Sequence, residues 1–207
     1  MTRDPLEYGW WLASRASGLV ALALITLSVG VGLAMAGRAF QKPGLARRLM
    51  ALHEHAALAG LIAIAVHAIT LLGDTWLDPG PVGIAVPFAM DHKPLFTGLG
   101  IVGGYLAAAL GLSFYARRRI GPKLWRKLHR ATILVYALAV AHTLGAGTDA
   151  SEPWLRIAMA VTGAPILYLL VVRTLPAPPV RADEVGCVKA QRRRSRRTGT
   201  SAVPGAS

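Results

Sequence analysis

Between residues 16 and 172 the chain repeats one pattern five times: a long apolar run, then a short polar link. The runs cover residues 16–36, 56–73, 94–115, 131–148 and 154–172. A helix needs ~20 mostly apolar residues to cross ~30 Å of hydrocarbon. Only helices and closed barrels satisfy every backbone group inside lipid. The runs lack the strict alternation of barrel strands, so all five are expected to be helices. The expected fold is therefore an all-α integral membrane bundle of five transmembrane helices.

Composition agrees. The chain is 54% hydrophobic and only 16% charged, whereas soluble domains carry about 25% charged residues. A single cysteine, Cys187, excludes a disulfide framework and a CxxC metal knuckle. The first run has a small-residue stretch at Ala34-Met35-Ala36 but is longer than a signal-peptide core, and Arg15 stands at its start. It is read as a retained membrane helix.

The net charge of +13 sits in three of the links. Arg38, Lys42, Arg47 and Arg48 follow the first run. Arg117, Arg118, Arg119, Lys123, Arg126, Lys127 and Arg130 follow the third. Arg173, Arg181, Lys189, Arg192, Arg193, Arg194, Arg196 and Arg197 follow the fifth. These are 19 of the 23 basic residues; Arg3 and Lys93 fall in the other links. The positive-inside rule then puts the N-terminus outside and the C-terminus in the cytoplasm of a multi-pass protein of the cell membrane. Residues 1–176 are expected to form the membrane domain. Residues 177–207, rich in Pro, Arg, Gly and Ser, are expected to be a disordered basic cytoplasmic tail. So close to a membrane helix, that tail suits topology and anionic lipid better than nucleic acid.

Six histidines carry the chemistry: His53, His55, His67, His92, His129 and His142. A polar residue within a membrane helix marks function by default. His53 and His67 are 14 residues apart, close to four helical turns, so both face one way about 21 Å apart. His129 and His142 are 13 apart, about 20 Å by the same rise. The two helices run in the same direction across the membrane. His53 and His129 then share an inner level, and His67 and His142 an outer one. On an ideal helix, a spacing of 13 leaves about 140° between side chains, so some distortion is required.

Two histidines at one level can hold a haem iron from both sides, neutral imidazole being a good iron ligand. A flat macrocycle needs a gap lined by small residues, and Ala56, Ala57, Ala59, Gly60, Ala63, Gly98, Gly100, Gly103 and Gly104 supply candidates. Close helix packing is the alternative reading of those residues. Zinc sites need three or four ligands in one shell. Di-iron bundles use Glu-x-x-His motifs, which the chain lacks. A proton relay does not explain paired levels. His55 reads as an interfacial residue, and His92 as an outer-loop residue without a partner histidine.

The spacing of these four histidines resembles the ferric reductase-like transmembrane domain family, whose membrane core is shared with the NADPH oxidases. The likeness extends to Val86-Pro87-Phe88, Lys93-Pro94-Leu95, Leu124-Trp125-Arg126-Lys127-Leu128-His129 and Gly145-Ala146-Gly147-Thr148-Asp149, and covers roughly residues 8–173. The resemblance implies two stacked b-type haems, the inner held by His53 with His129 and the outer by His67 with His142. It also implies electron flow from a cytoplasmic flavin to an extracytoplasmic acceptor. Larger members carry an FAD and NAD(P)H domain after the last helix. Here the residues after the fifth run contain no dinucleotide-binding glycine motif. A separate donor is therefore expected: a flavoprotein carrying FMN or FAD, a reduced flavin, or membrane quinol. The chain is expected to be an oxidoreductase subunit without catalytic residues of its own.

Arg15, near the outer end of the first helix, is a candidate partner for an outer haem propionate, or a snorkelling residue. Arg47, Arg48, Lys127 and Arg130 read as topology charges rather than inner propionate partners. Asp74 and Asp149 read as solvated outer-loop charges rather than as a site for a cationic acceptor. Trp10, Trp11, Trp76 and Trp154 read as an interfacial belt. Two other functions remain open at this point: a haem-binding anchor feeding a specific periplasmic reductase, and a haem-free structural or transport bundle.

Overall fold

A computed structural model of the chain describes residues 5–37 and 42–175. The described residues are 84% helical, with no strand. Seven helices follow in order: α1 (Pro5–Ala36), α2 (Pro43–Thr70), α3 (Gly80–Ala85), α4 (Pro94–Ile120), α5 (Pro122–His129), α6 (Thr132–Ala146) and α7 (Pro153–Thr174). A single 3₁₀ turn, Leu71–Gly73, extends α2. Proline opens α2, α4, α5 and α7, where its missing N–H costs nothing. The expected tail, residues 177–207 with Cys187 and all of its arginines, lies outside the described residues.

Among the described residues, four helices are long and apolar enough to cross a membrane: α1, α2, α4 and α7. The fourth apolar run folds as α6, whose 15 residues reach only about 22 Å. The bundle's outer surface is apolar. Ile62, Ile69, Leu112 and Val161, each more than half exposed, suit lipid rather than water.

α1 packs along α2, and α4 packs along α6; lesser contacts join α1 to α6 and α2 to α4. These four contacts close a ring in which α2 and α6 are diagonal. Small residues let the neighbours approach. Gly60 lies against Leu24 and Ile25 of α1, Gly104 against Ile64 of α2, and Gly103 against Leu138 of α6. Gly98 takes the ring of Phe88. Helix packing is thus what Gly60, Gly103 and Gly104 serve; of the four glycines expected to line a haem gap on α4, Gly100 is the one that meets a histidine. α7 touches the ring through Ile166 at Gly30 and Gly163 at Tyr136.

Two short elements escaped the sequence reading. α3 sits in the link before α4. α5 matters more, because His129 is its last residue. Arg130 and Ala131 form a turn between α5 and α6. His129 and His142 therefore do not share one regular helix, and the turn absorbs the mismatch that a spacing of 13 creates.

Candidate functional site

The diagonal arrangement brings the histidines together in two pairs. His53 of α2 meets His129 of α5 with ring centroids 5.9 Å apart and planes at 87°. His67 of α2 meets His142 of α6 at 6.3 Å and 73°. The 14 residues between His53 and His67 separate the pairs by about 21 Å along α2. The basic residues Arg47 and Arg48 lie just before His53, and Lys123, Arg126 and Lys127 share α5 with His129. Both clusters therefore belong to the His53–His129 end.

Three rings are aimed by backbone carbonyls. Nδ1 of His53 lies 2.8 Å from the Ser28 carbonyl oxygen. Nδ1 of His67 lies 2.8 Å from that of Ser14. Nδ1 of His142 lies 2.9 Å from that of Phe96. A carbonyl only accepts, so each Nδ1 carries the proton and donates. Each Nε2 then keeps a lone pair, the form in which imidazole binds a metal. The buried hydroxyls of Ser28 and Ser14 stand beside the same Nδ1 atoms, at 3.0 and 3.3 Å.

His129 differs. Among the described residues, its buried Nδ1 has no hydrogen-bond partner, nor has Nε1 of Trp125. The ring instead stacks on Trp125, centroids 5.0 Å apart and planes at 20°. Trp125 in turn meets Phe114 edge to face.

The pair separations fit a shared metal. An imidazole nitrogen sits about 2 Å from a bound metal, and the ring centre about 1 Å further, so two imidazoles on opposite sides of one atom have centroids about 6 Å apart. Among the described residues, no group of three or more His, Cys, Asp or Glu is placed to hold a metal ion. The donor set is two imidazoles at each of two levels. A bis-imidazole haem iron uses such a set; a zinc site does not.

The outer acidic residues correct the sequence reading. Asp149 is not a solvated loop charge: it is 6% exposed. Its carboxylate accepts two hydrogen bonds from Arg15, one from Nε at 2.8 Å and one from Nη2. Arg15 also lies over the Trp11 ring, 5.1 Å from its centroid. Asp74 is 4% exposed, and its Oδ1 accepts from the backbone N–H groups of Trp76 and Leu77. It caps a turn. The other two histidines stand apart from the pairs. His55 is exposed and donates to the Ala51 carbonyl one turn back. His92 lies edge-on to Trp76.

Sequence reasoning missed Ser14, Ser28, Phe96, Trp125 and the partner of Arg15. The two serines carried a signal: they repeat the 14-residue step of His53 and His67.

These features define a helical membrane protein that presents paired imidazoles at two depths. Residues 17–140 match the family described as ferric reductase like transmembrane component. The chain belongs to that family. The matched stretch contains His53, His67 and His129 and ends two residues before His142. No curated protein and no solved structure matches the chain. Membership points to transmembrane electron transfer, and transmembrane domains of this family generally bind haem.

Proposed function

We propose that this chain carries electrons across the cell membrane through two b-type haems, His53 and His129 holding one and His67 and His142 the other. The observation that carries the reading is the pair geometry: two sets of facing imidazoles, at 5.9 and 6.3 Å, on diagonal helices. Held by two histidines, each haem would supply one-electron transfer rather than substrate binding at iron.

The protein's part is positional. The Ser28, Ser14 and Phe96 carbonyls hold three Nδ1 protons, which keeps the opposite nitrogens free to ligate. The apolar helices keep water from the path. α6 serves as a fifth crossing, because its two ends meet the two histidine levels, although it is short. The basic residues beside His53 and His129 put that end in the cytoplasm and the N-terminus outside. Electrons come from a separate cytoplasmic flavoprotein, with FMN or FAD, or from membrane quinol, and leave to an extracytoplasmic acceptor. Arg15 has two of its donors committed to Asp149, so its role as a propionate partner rests on the remaining N–H groups.

Substitution of His67 or His142 by alanine tests the assignment. The expected result is one haem per chain in place of two and no electron flow to the outer side. Two intact haems in His67→Ala would overturn the ligand set.

A further inference from the structure

The three carbonyls that aim the rings share a second feature. Four residues after each stands a glycine: Gly18 after Ser14, Gly32 after Ser28, Gly100 after Phe96. A Cβ on Gly18 would lie 3.0 Å from Nδ1 of His67, and one on Gly32 3.2 Å from Cε1 of His53. A Cβ on Gly100 would overlap the His142 ring, 2.7 Å from its Cγ. Helix geometry explains the interval. Cβ bonds tilt toward the N-terminus, so the side chain at i+4 covers the turn that holds the carbonyl of residue i. At all three carbonyls the imidazole donor comes from another helix and passes an i+4 position that has no side chain.

We propose that Gly18, Gly32 and Gly100 are positioning residues, each keeping one backbone carbonyl open to the Nδ1–H of a ligand histidine and so fixing the plane of that ring. The proposal rests on the bis-histidine reading and adds residues that touch no haem. On α1 the device occurs twice. Ser14 with Gly18 and Ser28 with Gly32 are 14 residues apart, matching His67 and His53 on antiparallel α2. The fourth ligand shows what happens without it. His129 lies on α5, beyond the turn at Arg130 and Ala131, and so outside the register that sets Phe96 against His142. Nδ1 of His129 has no acceptor among the described residues.

The consequence is spectroscopic. The planes stand at 87° and 73°. Ferric haems with near-perpendicular axial imidazoles give highly anisotropic low-spin resonance signals, and turning one ring toward its partner's plane moves them toward the ordinary rhombic form.

The test is electron paramagnetic resonance and haem-to-protein ratio on the purified full chain in detergent, for Gly18→Ala, Gly32→Ala and Gly100→Ala, with Gly60→Ala as control. A Cβ at Gly60 makes only ordinary contacts at 3.5 Å. Gly18→Ala is expected to keep both haems and shift the outer signal alone; Gly32→Ala, the inner alone. Gly100→Ala, the most severe intrusion, is expected to shift or lose the outer haem and spare the inner. The control keeps both signals. Should Gly100→Ala fail to fold, the milder Gly18→Ala still decides. Wild-type signals in Gly18→Ala and Gly32→Ala would overturn the positioning role while leaving two haems in place. Equal losses in the control would also overturn it, as generic packing damage. A wild-type chain without haem would remove the functional reading and this inference together.

Discussion

Arg15 and Asp149 join the start of the bundle to the α6–α7 link across 134 residues of sequence, through two parallel hydrogen bonds to a carboxylate that is 6% exposed. A fork of this kind depends on the planar guanidinium, which lysine lacks. It fixes α1 beside the chain that follows His142.

Removing Arg15 leaves a buried carboxylate unpaired, and such losses exceed the worth of the pair itself. Arg15→Ala is expected to lower the melting temperature in detergent by several degrees, Arg15→Lys by less. The exchange Arg15→Asp with Asp149→Arg is expected to recover part of the loss. A melting temperature unchanged in Arg15→Ala would show that the pair holds nothing.

Much of this molecule was legible in the residues. Apolar runs gave the helices because lipid leaves the backbone no alternative. His53 and His67 announced a shared face through a spacing near four turns. His129 and His142 did not fit one helix, and the structure shows why: the turn at Arg130 and Ala131 separates α5 from α6. Asp149 misled, because only tertiary contact with Arg15 buries it. The small residues of α2 and α4 were ambiguous, since helix packing and a cofactor gap favour the same composition.

Two serines face the Nδ1 atoms, yet the carbonyls make the bonds at 2.8 Å. Ser14→Ala and Ser28→Ala are therefore expected to retain both haems and to cost about 1 kcal/mol or less in stability. Denaturant unfolding and the haem ratio check this. Loss of a haem in either variant would move the anchoring role to the hydroxyl.

His129 stacks on Trp125, and among the described residues its Nδ1 has no hydrogen-bond partner. Trp125→Ala is expected to loosen the inner centre, so that haem content falls toward one per chain while the outer signal persists. Trp125→Phe keeps a flat ring and is expected to retain both. An unaltered inner signal in Trp125→Ala would contradict the stacking role.

The proposed orientation rests on the basic residues on α5 and before His53. In a Cys187→Ser background, Ser151→Cys is expected to react with an impermeant maleimide on intact cells. Lys123→Cys is expected to react only after permeabilisation. The reverse pattern would invert the proposed topology.

The proposed electron path depends on each histidine pair holding a haem. Optical spectra of the purified chain, oxidised and dithionite-reduced, with a pyridine haemochrome ratio, test it most directly. Two low-spin b-type haems per chain are expected. A well-folded chain supplied with haem that binds none, or binds it high-spin, would contradict it.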